Sequence, residues 1–236
     1  MSLIIQERVL YERLEEIIAS GWLPIPNYHG YRGTGAPGRI LEDLLEVDGG
    51  NMDLPDAGKW EIKYHGGSAP LTLFHKEGQP KGHMEKMVAA YGWVDDEGRH
   101  SFRHTVWGRS NRGFWVERGE GRISVRNTGQ QIAELPYWLD DTLINALAQK
   151  LRRVIVVSGE KRHGEVRYNS AELFWEPRSS AFIDEIVSGT VAIDFDARTN
   201  SHSREIDAGR VRNHGTKFRI KYENLPKIYR HRRSFN

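Results

Sequence analysis

Asp56, Glu61 and Lys63, in the stretch LPDAGKWEIKYHGG (residues 54–67), have the side chains of a metal-dependent catalytic cluster. Mg²⁺ takes oxygen ligands, typically one or two carboxylates together with substrate phosphate. Asp56 and Glu61 could supply the carboxylates, and the backbone carbonyl of Ile62 a further oxygen. Lys63 could hold or deprotonate a water while the metal polarises the phosphate and lowers the pKa of that water. Many magnesium-dependent nucleases have acids and a lysine in this order.

The segment WEIKYH alternates as a half-buried strand does, with Trp60, Ile62 and Tyr64 on one face and Glu61 and Lys63 on the other. An ordinary strand with an exposed Glu–Lys pair has the same pattern. Because Asp, Glu and Lys are common residues, about one triple with an acceptable spacing is expected by chance in a chain of this length. The triple alone therefore does not separate a catalytic cluster from a solvated strand edge.

The neighbouring segments favour the catalytic interpretation. Glu42 lies in a predicted helix, RILEDLLEV, that follows the glycine loop HGYRGTGAPG. If this helix packs on the strand, Glu42 adds a third carboxylate near the metal; otherwise it is a solvated helix residue. Downstream, PLTLFHK is predicted to be the next strand and to complete a hairpin with WEIKYH, with His75 and Lys76 at its end.

Charge is distributed unevenly along the chain, although the net charge is only +2. Residues 201–236 contain ten Lys/Arg and three Asp/Glu, a net of +7, so the remainder, with 24 basic and 29 acidic residues, has a net of −5. A basic segment beside an acidic remainder is typical of proteins that bind a polyanion such as nucleic acid. A solvated basic tail would look the same.

The length and composition of the whole chain limit the classes of protein to which it can belong. Its 236 residues suffice for one large domain or two small lobes. The absence of cysteine excludes disulfides, thiolate catalysis and cysteine-bound zinc, and fits a reducing cytoplasm. No apolar run is long enough to span a membrane, and the N-terminal stretch reads as an amphipathic helix rather than a signal peptide. Alternating helical and strand patterns, including the apolar strand core VIVV and a late strand TKFRI, predict an α/β protein of the α+β type with a mixed sheet.

Five segments, in order, resemble the MvaI/BcnI family of type II restriction endonucleases, which is related to the MutH mismatch-repair nickase and belongs to the PD-(D/E)xK superfamily. They are GTGAPGRILEDLLE, DLPDAGKWEIKYH, LTLFHK, RYNSAELF and NHGTKFRI. The resemblance runs from about residue 30 to 225. It implies a restriction-endonuclease-like fold in one two-lobed unit. Residues 1–95 and parts of 140–175 would form the catalytic lobe, and residues 96–135 and 176–236 would mainly recognise DNA.

The resemblance also implies the roles of the acidic residues and the reaction. Asp56, Glu61 and Lys63 match the catalytic residues of the family, and Glu42 matches a supporting helix glutamate. The implied activity is Mg²⁺-dependent hydrolysis of double-stranded DNA that leaves a 5′-phosphate, with Mn²⁺ able to substitute. The enzyme would act as a monomer, nicking one strand and then the other at a CC-x-GG-like site. A cognate DNA methyltransferase would belong to the same prokaryotic system without forming a stable complex.

The expected DNA contacts are less uniform within the family. Arg219 matches an arginine that reads guanine, which a guanidinium can do through O6 and N7. His75 and Lys217 fall where one branch of the family has two histidines that read the central base pair. The segment AIDFDAR departs from the family, because it places Asp194 and Asp196 where a relative has a single aspartate followed by a base-reading arginine. Further candidate DNA contacts are Lys76, Arg109 and His214.

Two other functions remain open from the sequence. One is a MutH-like nicking endonuclease that acts in repair with a partner. The other is a non-catalytic, sequence-specific DNA-binding module in which the acidic triple is structural. The basic and aromatic stretch VWGRSNRGFW around Arg109 fits either phosphate contact or a small aromatic core with a wet basic face.

Overall fold

A computed structural model of the protein describes residues 7–28, 30–31, 33–47, 60–200 and 209–235. The helices in these ranges are α1 (Glu7–Ala19), α2 (Ala36–Leu44), α3 (His83–Tyr91), α4 (Asp140–Lys150), α5 (Ser179–Val187) and α6 (Leu225–Ile228), with a 3-10 turn at Tyr222–Asn224. The strands are β1 (Trp22–Pro24), β2 (Glu61–Gly66), β3 (Leu71–His75), β4 (Trp93–Val94), β5 (His100–Val106), β6 (Phe114–Gly119), β7 (Arg122–Asn127), β8 (Tyr137–Leu139), β9 (Arg153–Arg162), β10 (Glu165–Pro177), β11 (Val191–Thr199), β12 (Val211–Asn213), β13 (Lys217–Ile220) and β14 (Tyr229–Phe235). This mixture matches the predicted α/β class. None of the described helices is long and apolar enough to cross a membrane.

The chain divides into two compact units, and it changes unit four times. Unit 1 comprises residues 1–71, 147–178 and 221–236, and unit 2 comprises residues 72–146 and 179–220. The boundaries expected from sequence had placed residues 72–95 with the catalytic segments and residues 221–236 with the recognition segments. The assignment of catalysis to unit 1 and of base reading to unit 2 stays a proposal.

Unit 1 is built on a sheet with the strand order β1-β10-β9-β2, to which β14 is added by pairing with β10. All described pairs are antiparallel except β2 and β9, which run parallel with Glu61 opposite Val154 and Lys63 opposite Val156. The apolar run 154–157 in β9 is buried on both faces, which confirms it as a central strand. β2 therefore lies beside a rigid strand and forms the end of the strand order.

Helices α1 and α2 cover one face of this sheet. Their apolar side chains pack with Trp60, directly before β2, with Ile62 on β2 and with buried residues of β9 and β10. The least exposed members of this cluster in these segments are Leu10 and Leu14 on α1, Leu41 on α2 and Leu45 directly after α2. The helical spacing of these leucines predicts such a face, and burial of each side chain stabilises the fold by roughly 1.5–3 kcal/mol.

Unit 2 contains two sheets. One has the order β3-β13-β11-β5-β4 with β12 paired to β11, and the other has the order β6-β7-β8. The residues of β11 and β13 alternate, so that Ile193, Phe195 and Phe218 are buried while charged residues occupy the other face. The ring of Phe218 contacts the rings of Phe74 and Trp138 in the core of this unit.

The predicted hairpin between WEIKYH and PLTLFHK is wrong. Both segments are strands, but β2 pairs with β9 in unit 1 and β3 lies beside β13 in the sheet of unit 2. The connection between them holds Gly67 at a φ of +69°, a conformation that glycine adopts without strain. A glycine turn therefore reverses or redirects the chain, and its sequence does not determine which strand becomes the partner.

Candidate active site and nucleic-acid interface

Glu61 and Lys63 are in direct contact on β2. The Nζ atom of Lys63 donates a hydrogen bond of 2.8 Å to Oε1 of Glu61. Glu61 is only 3% exposed and the Lys63 side chain 14%. A buried carboxylate is costly unless a cation and hydrogen bonds compensate it, so these two residues are not the solvated strand edge that the sequence also allowed. Asp56 lies outside the described residues.

Alternation along β2 produces this arrangement. Trp60 and Ile62, at 4% and 5% exposure, point into the cluster under α1 and α2, with the half-buried Tyr64 packed beside them. Glu61 and Lys63 consequently share the opposite face, beside Val154 and Val156 of β9. On that side the buried Tyr229 lies close enough to Glu61 that burial, and then the carboxylate charge, raise the pKa of its hydroxyl.

The donor atoms on β2 fit a hard divalent cation. A carboxylate at Glu61 and the carbonyl of Ile62 are oxygen ligands of the kind that Mg²⁺ takes, and the chain has no thiolate to favour a softer metal. Within the described part of the chain, no three His, Asp or Glu side chains gather into a metal-binding group. That search does not include Asp56, the second predicted carboxylate ligand.

Glu42 lies on α2, the helix that packs against β2. The helix and the strand lie close together at Gly38 of α2. If this glycine had a Cβ atom, it would lie 3.8 Å from the Cβ atom of Tyr64. The Glu42 side chain is one-quarter exposed, with Oε2 3.9 Å from Nη1 of Arg39. Glu42 is therefore held near the strand by the packing of its helix, and its supporting role in catalysis stays a prediction.

His65 is a candidate that the sequence interpretation did not single out. It follows Glu61 and Lys63 at a spacing of two, which places it on their face of β2. Its ring stacks on Tyr222, with centroids 4.5 Å apart and planes at 12°. Burial lowers the pKa of His65, and the charge of Glu223 opposes that shift. Among the described residues, the buried Nδ1 atom of His65 has no hydrogen-bond partner. The spacing of two residues from Lys63 is the sequence signal from which His65 could have been identified as a candidate.

A polar cluster anchors Tyr222 beneath this histidine. The hydroxyl of Tyr222 donates to Glu172 on β10, and the Arg232 guanidinium and the Ser234 hydroxyl on β14 donate to the other oxygen of the same carboxylate. Burial and the bond to Glu172 raise the pKa of Tyr222 to about 12. Three elements of unit 1 are joined by this one carboxylate.

In unit 2, charged side chains of three neighbouring strands contact one another on the polar face of the sheet. Asp196 on β11 accepts a hydrogen bond of 2.9 Å from Nζ of Lys217 on β13 and one of 3.1 Å from Nε of Arg103 on β5. Asp194 accepts from Nη1 of Arg219 at 3.3 Å and from the hydroxyl of Thr105 at 2.6 Å. Lys217 and Arg219 are thus held by two aspartates that lie two residues apart on β11.

Three further predicted DNA contacts lie near the start of β13. His75 is exposed at the end of β3, and an added Cβ on Gly215 would lie 3.7 Å from its Cδ2 atom. The N–H of Lys76 donates to the carbonyl of Thr216 at 2.9 Å, and the N–H of His214 donates to the carbonyl of Asp196 at 2.8 Å. The fold therefore gathers His75, Lys76 and His214 around one turn next to Lys217.

His214 has a lowered pKa. Burial is the main cause, and the charge of Asp196 opposes it, while Arg212, Arg198 and Lys217 add to the lowering. Neutral imidazole is therefore favoured at this position near neutral pH.

Arg109 lies in a different part of unit 2, on the turn between β5 and β6. Its side chain is exposed, with the guanidinium carbon 6.0 Å from the centre of the Trp115 ring. Phe114 is buried beside it. The stretch VWGRSNRGFW thus combines an aromatic core with exposed basic side chains.

Comparisons with known proteins agree with this architecture. A sequence model of the MvaI/BcnI restriction endonuclease family matches residues 11–229. A structure of the restriction endonuclease MvaI in complex with cognate DNA substrate has a TM-score of 0.81 and 29% identity, covering 98% of this chain and 100% of the other. MvaI in the absence of DNA has a TM-score of 0.56 and 28% identity, covering 98% and 99%. A search of curated proteins finds no match.

The family match covers nearly the whole described structure, from α1 to the beginning of β14, and it includes β2 with the Glu61–Lys63 contact and the charged strands β11 and β13. The likeness to MvaI confirms the restriction-endonuclease-like fold and the resemblance found in the sequence. The chain belongs to the MvaI/BcnI restriction endonuclease family.

Proposed function

We propose that the protein, a restriction endonuclease by family, is a Mg²⁺-dependent type II enzyme that hydrolyses double-stranded DNA at a specific sequence. The observation that carries this proposal is the buried Glu61–Lys63 contact on a strand held parallel to β9. MvaI, with which the chain shares its fold, has been seen with its cognate DNA substrate. DNA is accordingly the proposed substrate here.

Asp56, Glu61 and the carbonyl of Ile62 would hold the metal, with Glu42 supporting the cluster. Bound Mg²⁺ would neutralise charge on the scissile phosphate and lower the pKa of the attacking water; Mn²⁺ has the same preference for oxygen ligands. Lys63 positions the water. Its ammonium group has three donors, of which one is used on Glu61, so two are left for the water and a phosphate oxygen.

The bond changes are those of an in-line hydrolysis. The water oxygen forms a bond to phosphorus, the bond from phosphorus to the 3′ oxygen breaks, and the products are a 5′-phosphate and a 3′-hydroxyl. Glu61 and Lys63 lie among buried neighbours on β2 and are joined by a hydrogen bond, so the strand would hold the reacting groups in place before DNA binds.

The proposed DNA contacts are on unit 2. Lys217 and Arg219 would reach base edges from β13, and His75, Lys76, Arg109 and His214 would contact the DNA around them. A site of the CC-x-GG type, cleavage by a monomer and sequential nicking of the two strands complete the proposal, with a separate methyltransferase protecting cellular DNA.

The central test compares wild-type protein with Asp56→Ala and Lys63→Ala on a long DNA of known sequence, with Mg²⁺ and without accessory proteins. Wild type is expected to produce discrete fragments whose sequenced ends share one motif and carry a 5′-phosphate. Each variant is expected to cleave at least about a hundred-fold more slowly, since each removes a ligand or donor used in the transition state. Lys86→Met, an exposed substitution on α3, is the matched control.

Three outcomes would contradict the proposal. Wild-type rates in the Asp56 or Lys63 variant would exclude the cluster as the active site. Cleavage only after addition of a repair partner would favour the MutH-like alternative. Sequence-specific binding without cleavage in Mg²⁺ would favour a non-catalytic DNA-binding module.

A further inference from the structure

His65 is the third polar side chain, after Glu61 and Lys63, on the face of β2 that is turned away from α1 and α2. Residues two apart on a strand are roughly 7 Å apart along it. Neighbouring phosphates along one DNA strand have a similar separation. With Lys63 at the scissile phosphate, a side chain two residues further along β2 is therefore placed at the distance of the next phosphate.

The ring of His65 is held in place by its neighbours. It stacks on the ring of Tyr222, with the two planes only 12° apart. The hydroxyl of Tyr222 donates to Glu172 and is also hydrogen-bonded to the side chain of Ser158. Ser158 lies opposite His65 in the parallel pairing of β2 and β9. A ring that is fixed in this way loses little freedom when it binds a ligand.

The surroundings of His65 also favour one position for the proton of its ring. The Nδ1 atom is buried and has no hydrogen-bond partner among the described residues. Buried N–H groups without an acceptor are rarer in proteins than acceptors without a donor, so the proton is favoured on Nε2. Burial lowers the pKa of His65, and the charge of Glu223 opposes that shift, so the ring is neutral near neutral pH. Since the residue is only half-buried, a ligand can reach the Nε2–H donor at the other edge of the ring.

Stacking alone does not account for a histidine at this position. A phenylalanine ring would stack on Tyr222 equally well, and it would bury no nitrogen that lacks a partner. The segment that carries Tyr222 is also basic, with Lys221 and Lys227 exposed and Glu223 as its one acid. A fixed N–H donor near ammonium groups suits an anionic ligand, and phosphate oxygens accept hydrogen bonds from such groups.

We propose that Nε2 of His65 donates a hydrogen bond to the DNA phosphate next to the scissile one, on the strand that is cut. This inference rests on the proposed function, because that reaction defines which phosphate is the neighbour. His65 would thereby set the position of the backbone relative to Glu61 and Lys63. Tyr222, which touches His65 but not the DNA, would be a positioning residue.

The test combines His65→Phe with duplexes in which one phosphate at a time around the cleavage position is replaced by an uncharged methylphosphonate. Binding is measured without divalent cation, so that no strand is cut. The His65→Phe change on unmodified DNA, and the methylphosphonate next to the scissile position with wild type, are each expected to weaken binding about ten- to a hundred-fold. Together they are expected to weaken binding no further, because each removes one partner of the same hydrogen bond.

Three more variants complete the design. The amide nitrogen of Gln reaches the position of Nε2, whereas that of Asn reaches only the position of Nδ1, so His65→Gln should bind more tightly than His65→Asn. His231→Phe is the matched control, because His231 also stacks on an aromatic ring of unit 1, that of Trp175. It should bind every duplex as wild type does. In thermal unfolding, His65→Phe should be at least as stable as wild type, since the stack remains and no unpaired nitrogen is buried.

Additive losses at every modified phosphate would overturn the inference, because the His65 ring would then contact none of them. Binding of His65→Phe at the wild-type level would have the same consequence. If His65→Asn bound as tightly as His65→Gln, a donor at Nε2 would be excluded. Wild-type protein that neither selects nor cuts any duplex would overturn the proposed function, whereas selective cleavage together with additive losses would overturn this inference alone.

Discussion

At the scale of single residues, the contact between Lys63 and Glu61 couples stability to the chemistry proposed for the site. Glu61 is almost fully buried, and the ammonium of Lys63 is one compensating charge beside it. Removing Lys63 leaves that carboxylate in a poorly solvating environment, which costs more than the intact pair contributes. Loss of activity in a lysine variant could therefore arise from a weakened fold as well as from missing chemistry.

A double-variant comparison separates the two effects. Lys63→Met is expected to lower the free energy of unfolding by about 2–4 kcal/mol, measured by urea unfolding. In Glu61→Gln/Lys63→Met the buried charge is gone as well, so at least half of that loss should be recovered. Both variants should lack cleavage activity.

Exposed Lys86→Met is expected to change stability by less than about 0.5 kcal/mol and serves as the reference. Equal stability of Lys63→Met and wild type would show that the buried carboxylate does not depend on the lysine. A double variant that is less stable than Lys63→Met would also show that the buried carboxylate does not depend on the lysine.

At the scale of elements, Glu172 connects β10 to β14 and to the turn that carries Tyr222. Its carboxylate accepts hydrogen bonds from Tyr222, Arg232 and Ser234. Burial opposes the charge, but the bonds from Tyr222 and Arg232 outweigh it, and the pKa of Glu172 is lowered. Since His65 stacks on Tyr222, this cluster also fixes a side chain on the face of Glu61 and Lys63.

The lowered pKa of Glu172 predicts a loss of stability in acid. A group whose pKa is lower in the folded state stabilises the fold above its unfolded pKa, about 4.3 for Glu, and this contribution is lost as pH falls through the folded value. Glu172→Gln should therefore be less stable than wild type by about 1–2 kcal/mol at pH 7, and the difference should shrink below about pH 4.

Urea unfolding of both proteins between pH 3 and 7 measures this difference. Glu120→Gln, at the exposed turn between β6 and β7, is the control and should show no such trend. A difference between Glu172→Gln and wild type that is constant with pH would mean that Glu172 does not stabilise the fold as an ion.

The sequence predicted the positions of strands better than it predicted which strands pair with each other. Strand β2 was evident because Trp60 and Ile62 alternate with charged residues, and β9 because its apolar run suits a central strand. The pairing of β3 was mispredicted, since a glycine turn is compatible with many partners. Strand β14 was not predicted at all: residues 230–234 are polar and exposed, and backbone pairing with β10 together with buried Tyr229 holds the strand in place. Such a strand has no apolar period to detect.

At the scale of the whole molecule, the chain carries one Glu61–Lys63 pair, whereas a duplex has two strands to cut. A monomer that uses this pair as its active site, as proposed above, would have to cut the two strands in separate events. The boundaries of the two units are hard to predict from the sequence, because a unit assembled from distant segments has no continuous stretch of composition to mark it.

Sequential cutting predicts the course of plasmid cleavage. With a supercoiled plasmid that has one recognition site, nicked circles should accumulate before linear DNA appears, and sedimentation should show one 27.1 kDa chain per duplex site. A plasmid without the site, incubated in parallel, should stay supercoiled. Direct conversion to linear DNA with two chains bound per site would contradict the monomeric mechanism.

The four crossings between the units restrict how a new target sequence could arise. Unit 2 consists of residues 72–146 and 179–220, inserted into unit 1 at two places. Unit 2 therefore cannot be exchanged as one continuous segment of the chain. The strands that carry Lys217 and Asp196 belong to its second segment, whereas β3 and β5 belong to its first. If unit 2 recognises the DNA sequence as proposed, the recognised sequence is expected to diversify by point substitution on a retained sheet, rather than by recombination of whole domains.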